Sequence, residues 1–443
     1  MLKDSRFGLL LALLFAGSMW FYVQEVLIPR QKADAAAHGR PRGNLSDLYP
    51  RWVGARELLL HGRDPYSEEV TREIQRGYYG RELDPSRADD PKDQQGFAYP
   101  VYVSFLLAPT VGLSFPAVQI GFRWLLVILT LMSIPWWLQV VHWRPSAAGF
   151  TALVLLTFGS FPVVQGIKLQ QLTLLVGGLL AASGAALVEG NLVVAGFLLA
   201  LATIKPQLAL PMAGWLVLWA ASDWKQRKRF VWSLAATMVA LLAASEYALP
   251  GWVGRFRNAV TAYREYTGGA GSLLDVLATP ALGRILAAAA VIAVAVLGWG
   301  VRREGQESKE FGAMLALVLT VTIVIVPSFA PYNQVLLLPA IFLIVASWSS
   351  LWRRNRLIRA VCSAGALVVI WPWLASFGLA AARLFWPATY VEQAWAAPLY
   401  TSLAIPLAVL GLLSLSAGEL LKIRRDDSAR RLASPGVAPS PPS

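Results

Sequence analysis

A succession of long apolar segments limits what this chain can fold into. About twelve segments are long enough, or nearly so, to cross a bilayer as helices. They comprise residues 7–28, 116–141, 147–164, 172–188, 193–204, 208–221, 230–249, 284–301, 311–327, 335–352, 357–377 and 398–421. Because hydrocarbon offers a backbone no hydrogen-bond partners, such segments must bond internally as helices. Only 15% of the residues are charged, so the sequence predicts an all-α polytopic membrane protein with one transmembrane domain over residues 1–423.

Basic residues indicate which loops face the cytoplasm. They cluster in short connections between apolar segments, at residues 225–229, 302–303, 353–356 and 422–425. An excess of lysine and arginine is typical of cytoplasmic loops. This placement accounts for the net charge of +13, and we predict no nucleic-acid partner. Residues 424–443, rich in proline and serine, are expected to form a disordered cytoplasmic tail.

The first apolar segment, residues 7–28, is expected to remain in the membrane. Lys3 and Arg6 precede it, as basic residues precede a signal peptide. The segment is longer than an ordinary signal-peptide core, however, and lacks a small-residue cleavage site. We therefore interpret it as a retained helix with its N-terminus inside.

Two polar loops, residues 30–98 and 250–283, are predicted to lie on the periplasmic side. The first is long and nearly balanced in charge, which permits translocation, and residues 52–61 and 67–78 show amphipathic helical patterns. Residues 97–113 are apolar but short for a span and contain two prolines. This stretch is predicted to be a re-entrant segment.

The topology of residues 193–221 depends on that segment. If residues 97–113 crossed the membrane, residues 193–221 would form one long helix with Lys205 near its middle. If they only dip into it, two shorter helices meet at Lys205, Pro206 and Gln207 on the outer side. We favour the second arrangement because a lysine in hydrocarbon costs about 3 kcal/mol.

Polar side chains gather at the predicted outer ends of the spans. They are Asp47, Lys168, Gln170, Gln171, Lys205, Gln207, Tyr332 and Asn333. Ionisable residues at membrane depth are costly and usually mark a site or a pathway. The ammonium groups of Lys168 and Lys205 suit a phosphate, with Arg264 or Arg255 of the second loop closing over it.

Asp47 is the candidate general base, since a carboxylate within hydrogen-bond reach can accept a hydroxyl proton. Arg51, one helical turn further on, would keep that carboxylate ionised. Structural alternatives stay open: Asp47 as the cap of a helix beginning near Leu48, and the two lysines as anchors that extend to the interface. Pro206 as a helix breaker and Tyr332 as an interfacial aromatic are further alternatives.

Other chemistry finds little support in the sequence. The acids Asp84, Asp89, Asp90 and Asp93 are expected to be solvated. His38, His61 and His142 are scattered, so no metal site is predicted. No nucleotide-binding glycine pattern occurs in a suitable context, and we predict no cofactor and no cytoplasmic nucleotide-sugar donor. The lone Cys362 cannot form an internal disulfide.

The order of short motifs resembles glycosyltransferase family 87, the bacterial polyprenyl-phosphate-mannose-dependent α-mannosyltransferases of the GT-C superfamily. The resemblance runs from about residue 7 to residue 345. Its motifs are Asp47, Gly62-Arg-Asp-Pro-Tyr66, Phe97-Ala-Tyr-Pro100 with Leu106–Pro109, Gln171-Leu-Thr173, Lys205-Pro-Gln207, and Pro331-Tyr-Asn333 leading into Leu336–Pro339. The chain departs from the family pattern at Val101, where proline is frequent, and at Gln170, where glycine is frequent.

The resemblance implies an inverting transfer at the outer face of the bacterial inner membrane. A polyprenyl-phosphate sugar would enter from the outer leaflet, Asp47 would deprotonate the acceptor hydroxyl, and Lys205 would stabilise the leaving phosphate. Lys168 and Arg264 complete the predicted phosphate site. The predicted substrate-binding residues are Arg51, Tyr99, Gln171, Gln207, Tyr332 and Asn333.

The chain is therefore predicted to be a GT-C glycosyltransferase, with about twelve spans, a re-entrant segment and periplasmic loop helices. It would move a hexose, mannose by resemblance, to a lipid or glycan acceptor of the cell envelope, among membrane lipids. One alternative of another class stays open at this point: a flippase or transporter that binds the same lipid-linked sugar without chemistry.

Overall fold

The computed structural model describes residues 5–37, 46–84, 86–88, 90–91, 93–266, 271–327, 330–416 and 418. All regular structure in these ranges is helical. The predicted tail, residues 424–443, lies outside the described residues, as do His38 and Asp89. The predicted all-α fold class of a polytopic GT-C protein is confirmed, while the number of spans stays a prediction.

Twenty-one α-helices follow one another along the described chain. They are α1 (Ser5–Phe21), α2 (Ile28–Ala37), α3 (Leu48–His61), α4 (Glu68–Tyr79), α5 (Val103–Leu107), α6 (Phe115–Val140), α7 (Ala147–Phe158), α8 (Phe161–Leu169), α9 (Leu172–Val188), α10 (Leu192–Ala202), α11 (Pro206–Ala221), α12 (Trp224–Ala248), α13 (Trp252–Tyr266), α14 (Leu273–Leu277), α15 (Pro280–Val301), α16 (Lys309–Ile325), α17 (Leu338–Ala346), α18 (Trp348–Trp352), α19 (Arg356–Ala382), α20 (Ala388–Gln393) and α21 (Ile405–Ser416). A π-helical stretch, Tyr22–Leu27, joins α1 to α2, and 3₁₀ turns lie at Ala108–Thr110, Pro331–Leu337 and Ala397–Leu399.

Five continuous helices are long and apolar enough to cross a membrane. They are Arg6–Ala37, Phe115–Val140, Trp224–Ala248, Pro280–Val301 and Arg356–Ala382. Helices α7 and α8 make a sixth candidate if counted as one span, bent by 52°. Such helices leave apolar side chains exposed, for example Ile285 and Val296 on α15, which are each 65% exposed. Those faces suit contact with lipid.

The centre of the bundle is formed by α9 and α16. Nearly every residue of both helices is buried, as expected for helices that are apolar on all sides. Helix α9 packs against α6 and α10, and α16 packs against α11 and α15. The polar N-terminal end of α9 is therefore held in a fixed frame.

Residues 97–113 do not form a span in this structure. They fold into the short helix α5 and a 3₁₀ turn that pack against α3, with Trp52 Nε1 donating to the Thr110 carbonyl at 3.1 Å. Residues 192–221 form two helices, α10 and α11, which meet at Thr203–Lys205. The favoured arrangement of two helices is confirmed. Pro206 is the first residue of α11, where a missing N–H costs nothing.

The first polar loop contains the two predicted helices, now seen as α3 and α4. Gly62 ends α3 in a left-handed conformation, φ 65°, which glycine adopts without strain. Gly54 lets α3 approach the ring of Phe97, because a Cβ at this position would overlap that ring. This close packing fixes the segment that carries Tyr99.

Candidate active site

A cavity of about 800 Å³ opens between the first polar loop, α11, α13 and the Pro331–Leu337 turn. Nine of the ten predicted site residues line it: Asp47, Arg51, Tyr99, Gln171, Lys205, Gln207, Arg264, Tyr332 and Asn333. They come from parts of the sequence up to 286 positions apart (333 − 47). The fold thus brings together residues that the sequence placed only at helix ends.

Asp47 precedes α3 and is fixed through its backbone. Its N–H donates to the Leu169 carbonyl at 3.0 Å, where α8 ends. Its side chain does not cap α3; instead, the carboxylate accepts a hydrogen bond from Gln171 Nε2. Asp47 is therefore the N-cap residue of α3 by position, as one alternative had it, but its side chain makes no capping hydrogen bond, and the residue lines the cavity.

Lys205 is 6% exposed, so it is not an anchor extended to the membrane surface. Its Nζ donates to Thr173 Oγ1 at 2.7 Å and to Gln171 Oε1 at 3.3 Å. Thr173 in turn donates to Asn333 Oδ1 at 2.9 Å. A connected polar network therefore runs from Asp47 through Gln171 to Lys205, and on to the Pro331–Leu337 turn.

Aromatic rings surround the cations of the cavity. The Arg51 guanidinium lies 4.7 Å from the centre of the Tyr99 ring, and Lys205 Nζ lies 5.7 Å from Tyr99 and 5.3 Å from Tyr332. Ring faces attract cations and exclude water. These ring contacts orient the side chains of Arg51 and Lys205.

Arg51 stays charged next to Asp47. Its Nη1 donates to the Asp47 backbone carbonyl at 2.8 Å. Burial acts against the charged guanidinium, but attraction to Tyr99 and Asp47 outweighs burial and raises the pKa of Arg51. The cavity therefore holds a permanent positive charge next to the Asp47 carboxylate.

Helix α13 closes one side of the cavity. Val253, Phe256 and Val260 present apolar groups there, and Arg257 and Arg264 add positive charge. Arg255 points elsewhere and pairs with Asp64, with 2.7 Å between Nη1 and Oδ2. Arg257 was not among the predicted site residues, although its seven-residue spacing from Arg264 on an amphipathic helix could have indicated it.

Lys168 lies apart from the cavity. Its Nζ donates to Gln24 Oε1 at 2.5 Å and lies 5.5 Å from the centre of the Trp20 ring, both on the first long helix. The structure therefore does not bring Lys168 and Lys205 together at one phosphate site.

The backbone conformation at Gln170 explains why the family pattern often has glycine at this position. It adopts a left-handed conformation, φ 53°, at the end of α8, which costs a non-glycine residue about 1 kcal/mol or more. Its side chain accepts from Ser46 Oγ and donates to the Gln119 carbonyl, and these bonds offset the strain. The turn directs Gln171 towards Asp47.

The remaining acids of the first loop differ in their exposure and in their partners. Asp84 is exposed, as expected. Asp90 is bound by Arg81, whose hydrogen bond holds the pKa of that carboxyl below its usual range. Asp93 lines the cavity. The expectation of a solvated cluster is therefore wrong for Asp90, whose side chain is 6% exposed, while Asp93 is half-buried at the cavity.

In the described part of the chain, no three His, Cys, Asp or Glu side chains come together as a possible metal site. Fold and cavity define the class: a polytopic, all-helical membrane protein with a cavity that joins two carboxylates, Asp47 and Asp93, to several cations and an apolar wall.

The family model of glycosyltransferase family 87 matches residues 97–327, just over half of the 443 residues, and the chain belongs to that family. It is thus a membrane glycosyltransferase, with a sugar donor and a glycan or lipid acceptor. Neither a curated protein nor a solved structure matches the chain. The matched range excludes Asp47, Arg51, Tyr332 and Asn333, so their assignment rests on the geometry of the cavity.

Proposed function

We propose that this protein transfers a hexose, mannose in our assignment, from a polyprenyl-phosphate carrier to a hydroxyl of a lipid or glycan acceptor. The reaction takes place at the periplasmic face of the bacterial inner membrane and inverts the anomeric centre. One observation carries the proposal: Asp47 and Lys205 bind opposite ends of the same amide, Gln171, in the wall of one cavity. A base and a cation for a leaving phosphate are thus held side by side.

The step is a single displacement. Asp47 accepts the proton of the acceptor hydroxyl, and the oxygen attacks the anomeric carbon. The bond from that carbon to the phosphate oxygen breaks, and polyprenyl phosphate leaves with the electron pair. One base suffices, because no covalent sugar–enzyme intermediate has to be hydrolysed.

Positive charge lies where the leaving group would need it. Lys205 is fixed by Thr173 and Gln171, and Arg257 and Arg264 line the same cavity. Preorganised cations stabilise charge that develops in the transition state without further reorganisation. We assign the phosphate site to these three residues.

The apolar wall supports a lipid-linked donor. Val253, Phe256 and Val260 of α13 lie next to Arg257 and Arg264 on the cavity. A molecule that joins an isoprenoid chain to a phosphate matches this combination, since the chain needs apolar surface and the phosphate needs cations. A nucleotide would leave the apolar wall without a partner.

The direct test uses the purified full-length protein in lipid nanodiscs. Synthetic short-chain polyprenyl-phosphate mannose, labelled in the sugar, is supplied with envelope lipids and glycans extracted from bacteria. We expect free polyprenyl phosphate and labelled product in equal amounts, with no transfer from GDP-mannose. Movement of the lipid across the bilayer without its consumption, or transfer from the nucleotide sugar, would contradict the proposal.

The periplasmic face can be tested separately by labelling in intact cells. After replacement of Cys362 by serine, a cysteine at exposed Arg72 on α4 should react with a membrane-impermeant maleimide. A cysteine at exposed Lys228 on α12 should react only after lysis, since it lies in a predicted cytoplasmic loop. The reverse pattern would place the cavity on the other side.

A further inference from the structure

A second cavity, of about 440 Å³, adjoins the first. It lies between α2, α4 and the segment after α20, and its lining includes Arg30, Asp34, Tyr79 and Trp395. Asp93 and Gln95 line both cavities. The two spaces therefore share one wall. The volume of the second cavity falls within the range of about 300–1,000 Å³ found for ligand sites.

The shared wall is a built structure. Gln95 donates from its backbone N–H to Asp93 Oδ1 and from its side chain to Oδ2, each at 2.9 Å. Tyr79 donates to the Asp93 carbonyl at 2.9 Å. Gln95 adopts φ 55°, a conformation that persists only where the surroundings enforce it. The Asp93 carboxylate is thus held in place at the junction.

The opposite side of the second cavity is also fixed. The Trp395 carbonyl accepts a hydrogen bond from the Tyr22 hydroxyl at 2.7 Å, and Trp395 packs against a buried apolar cluster that contains Tyr22 and Phe161. An aromatic ring, fixed in this way, faces a space that also holds carboxylates and amides.

The chemistry of this lining differs from that of the first cavity. Its charged groups are one cation, Arg30, and two carboxylates, Asp34 and Asp93, whereas cations dominate around Lys205. A phosphate would be repelled here. Aromatic faces combined with carboxylate and amide oxygens suit neutral ligands that carry many hydroxyl groups, because apolar ring faces can stack while hydroxyls donate to fixed acceptors.

We infer that the second cavity binds the non-reacting sugars of an oligosaccharide acceptor, whose terminal hydroxyl passes the Asp93–Gln95 wall to reach Asp47. This inference rests on the proposed function and commits the acceptor to a glycan of two or more sugars. Arg51 supports the path, because it lines the first cavity together with both Asp47 and Asp93.

The test compares acceptors of different length with the same donor. Octyl α-mannoside and the corresponding di- and trisaccharides serve as probes, and kcat/KM is measured for each with the full-length protein in nanodiscs. We expect kcat/KM to rise at least tenfold from one sugar to three. Asp34→Asn and Trp395→Ala should reduce that gain below threefold while the KM for the donor is unchanged.

Lys32→Gln is the matched control, since Lys32 is exposed on the same helix as Asp34 but does not line the cavity. Thermal unfolding of each variant identifies a folding defect, and Asp34→Asn still tests the site if Trp395→Ala fails to fold. Equal kcat/KM for all three acceptors, or an undiminished gain in Asp34→Asn, would overturn the subsite alone. A wild-type protein that consumes no donor, even with the extracted envelope glycans, would contradict the proposed function and the subsite with it.

Discussion

Gln171 donates a hydrogen bond from its side-chain amide to the carboxylate of Asp47, a residue 124 positions earlier in the chain. The other end of the same amide accepts from Lys205. An ionised carboxylate can only accept and an ammonium can only donate, so a single orientation of Gln171 satisfies both. The amide thus lies between two opposite charges in the wall of one cavity.

Asp47→Asn should strongly reduce sugar transfer and leave donor binding nearly unchanged. The amide keeps the size of the side chain but cannot accept the acceptor proton, and loss of a general base typically costs 10²–10⁴-fold. We expect kcat to fall by about that factor while donor affinity changes less than about threefold, as measured by initial rates and by binding of labelled donor. Asp84→Asn, in an exposed acid of the same loop, should behave like the wild type. Normal turnover by Asp47→Asn would remove Asp47 from the role of base.

Gln171→Glu should shift the pH dependence of the reaction. The new carboxylate would lie against Asp47, and a like charge at this distance raises a carboxyl pKa by about one unit or more. Since the base must be ionised, the acidic limb of kcat/KM moves to higher pH. Gln171→Ala removes the hydrogen bonds to Asp47 and Lys205 without adding a charge, and its shift should be smaller. An acidic limb that stays in place in Gln171→Glu would show that Asp47 is not the group titrating in it.

Lys205→Met and Lys168→Met form a matched pair. Both remove one ammonium near a predicted outer helix end, but only Lys205 lines the cavity, whereas Lys168 contacts Gln24 and Trp20. Loss of a preorganised charge in the transition state costs about 10²–10³-fold in kcat, so Lys205→Met should lose that much and Lys168→Met less than about threefold. Equal losses in the two variants would mean that the phosphate site extends to α8.

Lys168 also shows where prediction from sequence stops. The apolar pattern correctly placed Lys168 and Lys205 at helix ends, because hydropathy defines where a helix leaves the membrane. It does not define which way a residue points around the helix axis when, as in α8, apolar residues occur on all sides. That direction is set by packing against the first long helix, which no local pattern encodes.

The break at Thr203–Lys205 was predictable, and the wall at Asp93 and Gln95 was not. The break follows from local rules, since a lysine followed by proline cannot continue a helix inside hydrocarbon. The wall depends on hydrogen bonds from Tyr79 and Gln95 to Asp93, made within an irregular loop. From composition alone, Asp93 was expected to be solvated like the other acids of the loop.

Substitutions of three arginines of α13 should differ in their effect on the donor KM, according to the face of the helix that each arginine occupies. Arg257 and Arg264 line the cavity, and Arg255 pairs with Asp64 outside it. If the first two bind the donor phosphate, Arg257→Gln and Arg264→Gln should each raise the donor KM about tenfold, in line with the loss of one charge-assisted hydrogen bond. Arg255→Gln should change it less than about threefold, because a partly exposed ion pair contributes little. The measurement is the donor KM at fixed ionic strength, with Arg255→Gln as the control. A larger effect at Arg255 than at the other two would mean that α13 acts through its attachment to the first loop rather than through direct contact with phosphate.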